Sequence, residues 1–146
     1  MKKLIFNTDA NWASTILRVT FGIIMLVHAS GKLGSEGYQS FMYFFTEYLQ
    51  MSVFLGWITI AVEVFGSIFL ITGLATRLSA ISLFGLFVGM IVFVHWDYGF
   101  LMNWSGQLEA GQEGFEYHIL VLAICGALTV LGGGRYSLDQ LIQTKI

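Results

Sequence analysis

The sequence predicts an all-α membrane protein, a bundle of four transmembrane helices with both termini in the cytoplasm. Three observations carry this. Hydrophobic residues make up 56% of the 146 and charged residues only 11%, with mean hydropathy +0.75, well beyond the composition of a soluble domain of this size. Four runs are long and apolar enough to span a bilayer. The basic residues gather on one side of those runs.

The first helix is expected at about 13–31, the second at 53–74, the third at 78–96 and the fourth, the shortest, at 115–132. Together they form a single domain covering 1–146. Lys2 and Lys3 before an apolar run could mimic a secretory signal, but Arg18 interrupts the run, so it reads as a retained first helix. The link between Leu74 and Leu78 is so short that helices two and three must form an antiparallel hairpin. Lys2, Lys3, Arg77, Arg135 and Lys145 fall on one side, which sets that side as cytoplasmic. Only Lys32 falls on the other, acidic side, where loops 32–52 and 97–114 lie. The first of these loops carries Phe41, Met42, Tyr43, Phe44, Phe45, Tyr48 and Leu49. It is too interrupted to span and reads as an aromatic amphipathic segment in the interface, either a lid or a simple anchor.

The chain contains no proline, so proline-broken helices of the transporter kind have no support. Glycines supply the punctuation. Gly85-x-x-x-Gly89, and the Gly56, Thr59, Glu63, Ser67 stripe, have the spacing of helix-packing faces within the chain or between copies in a homo-oligomer. The net charge of −2 leaves no basic footprint for nucleic acid. Cys125, the single cysteine, excludes an internal disulfide or dithiol shuttle.

Ionisable residues inside lipid are costly and mark sites. Counting depth along each helix at ~1.5 Å per residue brings several to one outer level. His28 and Lys32 stand one turn apart, Glu63 lies near mid-membrane, His95 ends helix three, and Glu116 and His118 begin helix four. A carboxyl at the depth of Glu63 must be protonated or paired with a base, and either state suits proton transfer. Glu63, His28 and Lys32 are therefore the candidate catalytic groups, with His118, His95 and Glu116 as candidate cofactor-binding groups. Bland readings stand beside these. Glu116 caps a helix, His95 is an interface residue beside Trp96, Glu63 sits in a register-fixing ion pair, and Arg18 snorkels to the cytoplasmic interface. Glu116 and His118, two apart, cannot both point inward unless the helix starts between them.

The combination of Arg18-x-x-x-Gly22, Gly31-Lys32-Leu33, Glu63-x-x-Gly66, Thr72-Gly73-Leu74-Ala75-Thr76-Arg77 and Gly134-Arg135-Tyr136-Ser137-Leu138-Asp139 resembles the DoxX family of small four-helix membrane proteins. The resemblance implies a bacterial inner-membrane protein linked to membrane oxidoreductase complexes, including quinone-linked ones. It also places family positions on Lys32 and Glu63. Three functions follow in order. The first is a redox-linked subunit binding a quinone or similar small molecule, with Lys32, His28 and Glu63 moving protons. The second is a non-catalytic anchor for a partner oxidoreductase subunit. The third is a metal or haem site on His28, His95 and His118, which no H-x-x-x-H or E-x-x-H spacing supports.

Overall fold

The computed structural model describes residues 5–107, 109 and 112–145, so Lys2 and Lys3 lie outside the described residues. Among those described, every regular element is helical. In chain order they are α1 (Trp12–Ser30), α2 (Ser35–Tyr43) running into a π-helical turn (Phe44–Tyr48), α3 (Val53–Thr72), α4 (Thr76–Met90), α5 (Glu116–Leu131) and a short α6 (Leu138–Gln143). Beyond α4 the chain continues helically through a π turn (Ile91–His95) and a 3-10 turn (Trp96–Tyr98). Three segments are long and apolar enough to cross a membrane, Trp12–Ser30, Val53–Thr72 and Thr76–Tyr98. At 16 residues, α5 is apolar but rises only about 24 Å, short of a hydrocarbon core of roughly 30 Å.

The hydrophobic pattern is turned outward. Ile16, Ile24, Val27, Phe54, Phe65, Leu78, Ile81, Val92 and Phe93 are exposed, while Ser14, Arg18, Glu63, Ser67, Thr76, His118 and Asp139 are buried. Apolar exteriors of this kind suit lipid, where polar groups find partners only inside the protein. The core between the helices is built from Phe21, Met25, Leu70, Ala80, Leu83, Phe87, Val121, Cys125 and Leu128. The α3–α4 hairpin turns through Gly73 at φ +68°, where a Cβ would lie 2.4 Å from that of Ser137. Only glycine tolerates both the left-handed backbone and that approach.

One end of the bundle collects the chain's closing segments and is sealed by Arg18. Its Nε donates to Gly133 O at 2.6 Å, Nη1 to Leu70 O and Ile71 O at 3.0 and 2.6 Å, and Nη2 to Arg135 O and Tyr136 O at 3.1 and 3.0 Å. All five guanidinium donors are thereby used. This corrects the snorkelling expectation, because Arg18 is 2% exposed. The last carbonyls of a helix have no intrahelical partner and carry the negative end of its dipole, so the end of α3 and the turn after α5 supply acceptors within reach. Asp139 completes the seal by accepting from Ala75 N at 2.6 Å and Thr76 N at 2.9 Å, which caps the start of α4 from a distant part of the chain.

Candidate functional site

The opposite end carries the two long loops and the remaining buried charge. Glu63 lies on the inward stripe of α3 with Gly56, Thr59, Gly66, Ser67 and Leu70, all buried. Its carboxylate is wholly buried, and the Lys32 ammonium, whose side chain is 15% exposed, donates to both Oε1 and Oε2 at 2.6 Å. Lys32 follows the C-terminus of α1, where a cation suits the helix dipole. Its ammonium also stands 4.8 Å from the centre of the Phe41 ring, inside the range of cation–π attraction. A charge-assisted, doubly bonded pair of this kind satisfies a carboxylate that lipid would otherwise force to protonate.

His28 makes no hydrogen bond among the described residues. It stands close enough to feel the charges of Lys32, Glu63 and His118. His118 is buried on α5, with its ring 4.2 Å from that of His95 and 5.5 Å from that of Phe87. His95 reaches it because the wide π turn offsets the drift that a 3.6-residue helix accumulates over the four-residue spacing of Leu83, Phe87, Ile91 and His95. His95 Nδ1 bonds Glu113 O at 2.7 Å. A carbonyl only accepts, so Nδ1 carries the proton and, in the neutral ring, Nε2 is left as the acceptor. The buried Nδ1 of His118 has no hydrogen-bond partner.

The structure thus divides the expected cluster into Lys32–Glu63 and His95–His118, with His28 within electrostatic reach of both pairs. Glu116 turns away from it. Its Oε2 accepts from Met102 N and Trp104 Nε1, both at 3.2 Å, and ties the second long loop to the start of α5. Of the two residues that could not both face inward, His118 does. Among the described residues, no group of three or more His, Cys, Asp or Glu side chains is placed to hold a metal ion. His95 and His118 alone form a histidine pair rather than a coordination shell.

The aromatic segment after Lys32 lies over this end as α2 and its π turn. It docks through glycines. A Cβ on Gly37 would fall 1.8 Å from Gly31 O, and one on Gly56 would fall 2.9 Å from Met42 Sδ. Beneath it, between α3 and α4, runs an apolar groove of about 350 Å³ walled by Phe41, Phe45, Thr59, Leu86, Met90 and Phe93. Gly85 and Gly89 belong to its lining, and a Cβ on either would touch nothing within 4 Å. The expectation that these glycines pack against a neighbouring helix within the chain is therefore corrected. Sequence spacing cannot distinguish a glycine that admits a helix from one that leaves space.

Residues 13–96, from α1 through the end of the α4 segment, match the DoxX family model. The chain belongs to the DoxX family. This DoxX protein is also 29% identical over 137 residues, 93% of its own length and 91% of the relative's, to a Bacillus subtilis (strain 168) protein named "Putative oxidoreductase CatD". No solved structure matches it significantly. The matched span contains Arg18, His28, Lys32, Glu63 and His95 and stops before Glu116 and His118.

Proposed function

We propose that this DoxX protein is a redox-linked inner-membrane subunit that binds a quinone or similar small molecule beside Lys32 and Glu63. The observation that carries this reading is the Lys32 ammonium held on both oxygens of a wholly buried carboxylate. A reducible carbonyl compound needs a proton donor against apolar walls, and an ammonium–carboxylate pair next to Phe41 offers one. His28 lies within electrostatic range of the pair and of His118, and His95 and His118 add titratable rings on the side of the loops. The name of the relative is in keeping with redox work. The basic residues Arg77, Arg135 and Lys145 favour a cytoplasmic location for the sealed end and an outward one for the site, with α5 completing a fourth span.

The test is purification of wild type, Glu63→Gln and His28→Ala in mild detergent, with mass spectrometry of retained quinones. All three proteins should insert, Glu63→Gln with a lower melting midpoint because it leaves the Lys32 ammonium unpaired, and quinone should be present only in the wild type. Equal quinone in all three, or none in the wild type, contradicts the reading.

A non-catalytic anchoring role draws on a different observation. Phe100, Leu101 and Trp104 are 53%, 69% and 82% exposed on the loop that Glu116 holds in place. A partner subunit that shields these residues in a co-purified complex, with no quinone present, would favour that role.

A further inference from the structure

The groove under α2 contains one polar group without a partner. Thr59 is 8% exposed, lines the groove and makes no hydrogen bond among the described residues. Other helical hydroxyls here turn back to the carbonyl one turn earlier, as Thr46 does to Met42, Thr72 to Ile68, Ser79 to Ala75 and Thr129 to Cys125. That is the usual way a hydroxyl is satisfied in an apolar helix. Thr59 instead keeps its hydroxyl open to the groove one turn from Glu63, where a ligand oxygen can accept from it.

We infer that the groove is the tail subsite of a lipophilic carbonyl compound whose oxygen-bearing end accepts from Thr59 and lies beside Lys32–Glu63, and whose chain covers Gly85 and Gly89. The inference deepens the proposed function and rests on it. Phe41 links the two parts, since one ring receives the Lys32 ammonium and also walls the groove. The glycines explain the shape. Side chains at 85 and 89 would project into the volume the tail occupies, while the backbone has room for them. A second copy of the chain packing on the same glycines would fill the groove but would have to bring an acceptor to Thr59 to satisfy it.

The experiment uses the full chain in lipid nanodiscs and two probes, 2,3-dimethoxy-5-methyl-1,4-benzoquinone and its 6-decyl derivative. Wild type should bind both, the decyl compound more tightly. Thr59→Val should weaken both by roughly three- to tenfold, the scale of one lost hydrogen bond. The double variant G85L/G89L should bind the tailless probe as wild type does and lose the preference for the decyl chain. Gly126→Leu, at an open glycine on α5 outside the groove, should change nothing and controls for added bulk. Retention of the decyl preference by G85L/G89L overturns the tail subsite and leaves the proposed function standing. A wild-type dimer that G85L/G89L separates, with probe binding unchanged, assigns the glycines to a second copy and overturns it as well. Failure of wild type to bind either probe overturns both readings.

Discussion

The two ends of this bundle bury charge in opposite ways. At the sealed end, Arg18 places all five donors on five backbone carbonyls, and Asp139 places its two oxygens on two amides. These contacts tie α1, α3, α4 and the segment after α5 into one plug of backbone. At the loop end, Lys32 and Glu63 satisfy one another, while Thr59 and His118 Nδ1 lack partners. At the sealed end the charged groups are fully met by backbone, and the one buried side-chain atom there without a partner among the described residues is the Thr76 hydroxyl. On the proposed function, the polar atoms left unmet at the loop end are those a ligand would engage, at a cost in stability that buried polar groups normally avoid.

The largest effect should come from breaking the sealed end. Arg18→Met keeps an unbranched apolar stem but removes the guanidinium, stranding five carbonyls in an apolar environment, so it should destabilise the fold by roughly 3–5 kcal/mol. Thermal unfolding in detergent should show it as a large drop in midpoint with little folded protein recovered. Asp139→Ala should be milder, at about 1–3 kcal/mol, because it removes one capping carboxylate while Arg18 keeps its carbonyls. The same melts rank the two, and a ranking of Asp139→Ala above Arg18→Met would mean that the cap rather than the guanidinium holds this end.

Much of this architecture is legible in the residues alone, because lipid makes an apolar run both necessary and conspicuous. The three long spans begin and end within a few residues of their expected limits, and the aromatic segment after Lys32 forms a non-spanning helix. Depth counting along the helices also placed Glu63 within reach of Lys32. What composition could not supply is orientation around each helix. Arg18 looks like a snorkelling side chain when only its depth is known; three of its five carbonyl partners come from a turn after α5, more than 110 positions away in the chain, and the other two from the end of α3. Glu116 has the depth of a site residue but is turned onto its own loop. The unmet hydroxyl of Thr59 was hidden for a simpler reason, since an unmet hydrogen bond is invisible until the possible partners are located.

The most direct test of the difference between the ends replaces the Lys32–Glu63 pair with apolar side chains of similar volume, as K32M/E63L, and reads stability and binding on the same sample. Removing both members of a buried pair is often neutral or stabilising, unlike removing one. The account predicts a melting midpoint at or above that of wild type together with at least a tenfold loss of affinity for the decyl benzoquinone. A midpoint that falls as far as in Arg18→Met, with affinity unchanged, would show that both ends serve only to hold the bundle together.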